Sequence, residues 1–496
     1  MKKRGFTLIE LMAIIILIGV MGLIIVPGIV DVINKSNKKA FDATIEGYIK
    51  AIKTDNIKRG GQQNKYYIKN GDLFHTDTNE KIKIENNSKE EGVLITDSDG
   101  NIKGNIENDD YCSIISNGFK ESLSKNNECL LYSDPILNGT DPVLDSGMIP
   151  VVVENNGTTK KADISSDWYD YSEKKWANIV IVNNESYENY KNISSGSLIK
   201  KEDILAHFVW IPRYKYLIPT GGTNIPSTID IVFEDKYTEK STGNAKTEYF
   251  THPAFTFGKN DVNGIWFGKF ETSGSSSSPT ILPNVKSLGL LSNSNQFKSA
   301  QFFNSYFSNG NSHMTKNSEW AAAAYLSQSL YGLNDKIRIN NNNIVLTGCG
   351  AQIENDVSVT TCDIAYGDAS NYPQSTSGNI TGIFDMSGGL YERVMANYNN
   401  KLANSGFTSM PESKYYDLYT TDSILTACNG DVCLGHALNE TKGWDSGYFA
   451  FLNETNPWPF RGGGYNDKNF ANFNYINDSI GNSYGTHGFR IAIVIE

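Results

Sequence analysis

From Leu11 to Val30 the chain carries no charged side chain. A helix of about 20 such residues, rising 1.5 Å each, matches a hydrocarbon core of roughly 30 Å, so the run predicts a membrane span. Lys2, Lys3 and Arg4 stand before it, which by the positive-inside rule keeps the N-terminus cytoplasmic and sends the remainder across. One carboxylate, Glu10, sits at the front of the run. An ionised group near the middle of a lipid-embedded helix costs roughly 2.5–3.5 kcal/mol, and less toward an end, so Glu10 calls for a cationic partner. Past the run, Phe41, Ile45, Tyr48, Ile49 and Ile52 recur at helical spacing with Lys38, Lys39, Asp42, Glu46 and Lys50 between them. The helix is therefore expected to continue and to lay an apolar stripe on a globular head. Pro27, lacking an N–H, is expected to bend it.

The stretch Gly5-Phe6-Thr7-Leu8-Ile9-Glu10 resembles the class III leader junction of type IV pilins and type II secretion pseudopilins, and Pro27 falls where those families carry a helix-bending proline. No small-residue A-x-A cleavage site follows the run. The resemblance implies that prepilin peptidase cuts between Gly5 and Phe6 and that a methyltransferase modifies the new Phe6 amine. It also implies that Glu10 pairs with the amine of a neighbouring subunit. The implied partners are other pilin subunits and prepilin peptidase, in the cytoplasmic (inner) membrane before assembly and in an extracellular pilus or at the cell surface afterwards.

At 496 residues the chain is too long for one core. With 27 Tyr, 23 Phe and only 20% charged residues, it suits exported β-rich domains more than a cytosolic helical enzyme. The formal net charge of −11, without a basic patch, argues against nucleic acid. The cysteines fall in sequence-local couples, Cys112 with Cys129, Cys349 with Cys362 and Cys428 with Cys433. Local pairing is the simplest choice for an exported chain, so three disulfides are expected. The histidines are scattered without metal-ligand spacing.

Alternating segments at Lys65–Lys69, Gly92–Thr96 and Asn101–Ile106, with turns at Asn70-Gly71 and Asp99-Gly100, read as the strands of a small head. Met148–Val153, Trp168–Tyr171, Trp176–Val182 and Phe208–Arg213 are apolar, aromatic or β-branched and read as further strands. Ser273–Ser278 and Asn340–Asn343 read as solvated loops. Thr315–Leu326 has a polar start before strong helix formers and reads as a helix.

That helix contains Glu319-Trp320, and three motifs follow it: Asp385-Met386-Ser387-Gly388, Arg461-Gly462-Gly463-Gly464 and Gly488-Phe489-Arg490. In this order they are similar to the formylglycine-generating enzyme (sulfatase-modifying factor) family, over roughly Trp210 to Glu496. The resemblance implies a C-type-lectin-like fold sparse in regular structure. Catalytic members use a copper-binding cysteine pair between the last two motifs, but Gly464 to Gly488 contains no cysteine, so the oxidase chemistry is not expected. Calcium remains a weak expectation through Asp385 and Glu392, because Gly389 stands where that family carries an asparagine. Arg461 and Arg490 are read as structural, each able to satisfy several carbonyls or a carboxylate.

Tyr465 to Ser479 alternates aromatic with small polar residues, a mixture that recognition surfaces favour. It is similar to the variable tail of diversity-generating-retroelement targets. Tyr465, Asn466, Asp467, Asn469, Asn472, Asn474, Tyr475 and Asn477 are the candidate ligand residues. The alternative is that they are inward aromatics and turn residues of an irregular domain.

The expected fold is α+β: leader 1–5, assembly helix 6–59, antiparallel β head 60–133, junction and accessory β region 134–209, and a lectin-like domain 210–496. The expected function is that of a minor type IV pilin, at a tip or sparse position, displaying a non-catalytic head toward an unknown glycan or protein. The alternatives are a pseudopilin of a secretion or DNA-uptake machine, and a stalk-mounted formylglycine-generating-type enzyme.

Overall fold

The computed structural model of the chain describes residues 8–61, 64–75, 78, 80–84, 89–96, 102–115, 122–124, 138–166, 168–350, 360–420, 428–429, 432–450 and 452–495; side chains of 8–11, 13–31, 65, 95, 103, 114, 123–124, 428–429, 432–433 and 469 are not among the described groups. The protein is mixed α and β, mostly strand in several sheets, with one long N-terminal helix. It divides into two compact units, Met1–Pro135 and Ile136–Glu496.

In the first unit the helix α1 runs Leu8–Lys58. Gly5 and Phe6 lie outside the described residues; Glu10 and Pro27 are internal to α1. Among the described residues no helix is long and apolar enough to cross a membrane, and the Leu11–Val30 side chains, Met12 apart, are not among them. Seven strands form an antiparallel sheet in the order β3-β2-β1-β4-β5-β6-β7: β1 Asn64–Lys69, β2 Asp72–His75, β3 Glu80–Ile82, β4 Glu91–Thr96, β5 Ile102–Glu107, β6 Tyr111–Ile115 and β7 Leu123–Ser124. The predicted stripe does pack: Phe41, Ile45, Tyr48 and Ile52 are buried against Tyr66, Ile68, Leu73, Leu94, Ile102, Ile106 and Ile115, with Ile49 at the margin. The Tyr48 hydroxyl donates to the Gly71 carbonyl at 2.8 Å and to Glu90 at 3.1 Å, tying α1 to the β1–β2 turn. That turn is the expected Asn70-Gly71, whose φ values of 50° and 81° are those a two-residue hairpin demands. The Asp99-Gly100 turn lies outside the described residues. Cys112 is disulfide-bonded; Cys129 is outside the described residues.

The second unit is built on another antiparallel sheet of seven strands. From one edge these are Gly310–Met314, Ile491–Ile495, Gly264–Gly268, β11 (Ile204–Pro212), β10 (Asn178–Val182), β8 (Ile149–Val153) and β9 (Thr159–Lys161). The strand Ile204–Pro212 runs across the expected 209/210 divide, and strands from both sides share one core. The predicted helix is observed at Asn317–Ser327, with every residue buried. Three local expectations fail. Trp168–Tyr171 is not a strand: Asp170 accepts from the Ser172 and Glu173 amides and starts a 3-10 turn instead. Ser273–Ser278 is not a plain loop but pairs as Ser273–Ser275 with Ser278–Thr280. Asn340 and Asn342 are not solvated: both are buried, with the Asn340 amide donating to Asp385 and to the Leu346 carbonyl, each at 2.9 Å.

Candidate functional site

A smaller sheet holds the C-terminal motifs side by side in the order Ile476–Ser479, Trp458–Arg461, Tyr391–Arg393, His487–Phe489. Registers set Tyr391 opposite His487, Arg393 opposite Phe460, and Phe460 opposite Asn477. Because side chains alternate along a strand, these residues share a face. The result is an aromatic cluster: the Tyr391 ring lies 5.1 Å from Phe460, 5.1 Å from His487 and 6.0 Å from Tyr475. Tyr448 and Tyr484 extend it outward, 5.7 Å from Tyr475 and 5.2 Å from His487, and both are exposed.

The tail residues take different places. Asn466 is exposed, Tyr465, Asp467 and Asn477 are half-buried, and Asn472, Asn474 and Tyr475 are buried. The Asn469 side chain is not described. Asp467 accepts from the Tyr391 hydroxyl at 2.9 Å and from the Gly464 amide at 3.0 Å, which pins the loop over the sheet. Asn472 accepts from the Asn474 amide at 2.7 Å and shapes a turn. Burial lifts the Tyr475 hydroxyl to about 12 and, before Asp467, raises that of Tyr391; burial followed by Arg393 lowers His487 to about 3. At neutral pH the Tyr391 and Tyr475 hydroxyls and the His487 ring are thus uncharged. The cluster offers ring faces and hydrogen-bonding amides and hydroxyls, with the Thr486 hydroxyl 3.1 Å from His487 Nδ1. The sequence missed Tyr448, Tyr484 and His487 as members because nothing local marks them; strand register brings in His487, and ring contacts made through the tertiary fold bring in the two tyrosines.

Behind the sheet, Arg490 donates to Glu392 at 2.9 Å through Nε and again through Nη2, and to the carbonyls of Gly268 at 2.8 Å and Phe384 at 3.0 Å. Arg461 is buried and donates to Asn317 at 2.9 Å and to the Ala437 carbonyl at 3.3 Å. Both arginines are structural. The residues present do not fit calcium. Glu392 is taken by Arg490, Asp385 accepts from Asn340 and from the Gly348 amide at 2.8 Å, and a Cβ at Gly389 would fall 2.3 Å from Glu271 Oε1. The Glu271 carboxyl, accepting from the Leu390 amide at 2.8 Å, fills the space an asparagine side chain would need. Among the described residues no group of three or more His, Cys, Asp and Glu is placed to hold a metal.

Cys349 and Cys362 are joined. Cys428 and Cys433 face each other in a short hairpin, their sulfurs outside the described groups. Compared with protein-family models and with curated proteins, the chain matches none.

Proposed function

We propose that this chain is a minor subunit of a type IV filament, whose helix-and-sheet unit enters the polymer while its larger unit presents a non-catalytic, lectin-like recognition surface. The observation that carries the reading is the packing of Phe41, Ile45, Tyr48 and Ile52 of α1 under the seven-stranded sheet, on the same helix that begins just past the leader-like Gly5-Phe6. The recognition half draws support from the exposed Tyr448, Tyr484 and Asn466 around Tyr391 and Tyr475, since tyrosines give large contact area at few rotors. Short strands joined by many 3-10 turns in the larger unit are in keeping with a lectin-like module. A unit of that bulk would crowd every turn of a fibre, which favours a tip or sparse position.

Two measurements test this. Co-expression with a prepilin peptidase, followed by mass analysis of the recovered chain, should give an N-terminus at Phe6; a chain still carrying Met1 to Gly5 would count against filament assembly. Replacing Tyr448, Tyr484 and Asn466 together by Ala should abolish attachment to cells or glycan arrays with folding intact. Undiminished attachment would remove the surface. Asn472 and Tyr475 are unsuitable for that purpose because they are buried.

A further inference from the structure

Five rings of the aromatic cluster stand in line. In the order Tyr448, Tyr475, Tyr391, His487, Tyr484 their centroids are 5.7, 6.0, 5.1 and 5.2 Å apart, and each plane is tilted 37–39° from the one before. Strand order makes this a row and not a closed cage. Tyr448 runs beside Ile476, at one edge of the smaller sheet, while Tyr391 stands on its third strand and His487 on its fourth. Accessibility alternates along the row. Tyr448 is 49% exposed, Tyr484 is 45% exposed and Tyr391 is half-buried, whereas Tyr475 and His487, at 6% and 8%, are spacers between them. Each outer tyrosine therefore lies two ring steps from Tyr391, roughly 10 Å, and one three-residue turn of a polyproline II helix advances about 9 Å at 3.1 Å per residue.

The polar groups around the row fit the same kind of chain. Proline has no N–H, so a proline-rich segment brings carbonyls that need donors and flat apolar rings that lie on aromatic faces. Donors are at hand in the hydroxyls of the exposed Tyr448 and Tyr484 and the amide of the exposed Asn466. A glycan would instead ask for acceptors for its hydroxyls, and the carboxylate beside the row, Asp467, already accepts from the Tyr391 hydroxyl at 2.9 Å and the Gly464 amide at 3.0 Å. We infer that the row binds a proline-rich peptide segment in the polyproline II conformation, with prolines three residues apart seated on Tyr448, Tyr391 and Tyr484. Such a segment is extended before it binds, so docking orders little of it. The inference rests on the recognition half of the proposed function and gives that surface its ligand.

The test is calorimetric titration of the full chain, purified in detergent, with nona-proline, tri-proline, a nine-residue Gly-Ser peptide and cellohexaose. Nona-proline, about 28 Å long at 3.1 Å per residue, reaches all three tyrosines and should bind at least tenfold more tightly than the other three. Tyr448→Ala and Tyr484→Ala, both at exposed positions, should each weaken it several-fold, and together tenfold or more, with the melting curve unchanged. Tri-proline or the Gly-Ser peptide binding as tightly as nona-proline, cellohexaose binding more tightly than it, or parental affinity in the double variant would overturn the assignment. If nona-proline fails while replacing Tyr448, Tyr484 and Asn466 still abolishes attachment, the ligand class falls and the recognition surface stands; undiminished attachment removes both.

Discussion

Arg490 and Glu392 form a two-point ion pair with both side chains 1% exposed, Nε lying 2.9 Å from Oε2. The same guanidinium holds the carbonyls of Gly268 and Phe384, so one side chain joins the central sheet, the Asp-Met loop and the smaller sheet. It is the neighbour of three buried carboxyls. Burial, then Glu392 and Asp385, push the Glu271 carboxyl well above the usual carboxylate range. Removing one partner of a buried pair strands the other charge, at about 3–5 kcal/mol. Arg490→Met should therefore lower the urea midpoint of the larger unit by that equivalent, and Arg490→Lys, which cannot form the fork, by much of it. A parental midpoint in either variant would contradict the role.

A second prediction concerns pH. Glu440 is buried and accepts from the Tyr216 hydroxyl at 2.8 Å, the Tyr325 hydroxyl at 2.6 Å and the Gly435 amide at 2.6 Å. Burial outweighs these bonds and raises its carboxyl from the ordinary 4.5 to about 7. Between those values the folded chain holds a proton that the unfolded chain has released, so stability falls as pH rises through the window. The loss is about 1.4 kcal/mol per pH unit, on the order of 3 kcal/mol in all. It is absent below pH 4.5 and complete above about 7. Thermal melts across this range should show the slope in the parent and a flatter one in Glu440→Gln.

Gly389 provides a steric test. Its φ of 69° lies in the left-handed region, and an added Cβ would meet Glu271 Oε1 at 2.3 Å. Left-handed strain costs about 1–2 kcal/mol, and a displaced Glu271 would lose its bond to the Leu390 amide, worth about 1–3 kcal/mol while buried. Gly389→Ala should lose at least about 2 kcal/mol by denaturant unfolding. Pairing it with Glu271→Ala should recover part of that loss; no recovery would place the clash elsewhere.

What the sequence could carry was local. The α1 stripe, the Asn70-Gly71 turn, the strands at Val151, Val180 and Val209, and the helix at Trp320 all follow from periodicity or turn chemistry within a few residues. The burial of Arg461 and Arg490 was legible because a lone arginine in a Gly-rich motif has few other uses. Hidden from it were features made by long-range register. Tyr391 meets His487 only because a parallel strand returns almost a hundred positions later, and nothing local tells that Tyr475 is buried while Tyr448 is exposed. Asn340 was misread for the opposite reason: its polarity signals solvent, while its actual partner is the buried Asp385.

The final prediction separates the two sides of α1. Ile45 is fully buried on the sheet and Ile57, on the same helix, is 76% exposed. Deleting a buried isoleucine side chain to Ala removes its transfer energy and leaves a cavity, about 2–5 kcal/mol, whereas the exposed change should stay within about 0.5 kcal/mol. Because the chain has two units, a global melt would blur the effect. Hydrogen exchange at the paired amides of β1 and β4 reports the first unit alone. Ile45→Ala should accelerate exchange there by at least tenfold, about 1.4 kcal/mol, with the sheet around β11 unaffected and Ile57→Ala matching the parent. Equal exchange in the two variants would mean that the stripe does not hold the helix to the sheet, and the assembly reading would lose its structural support.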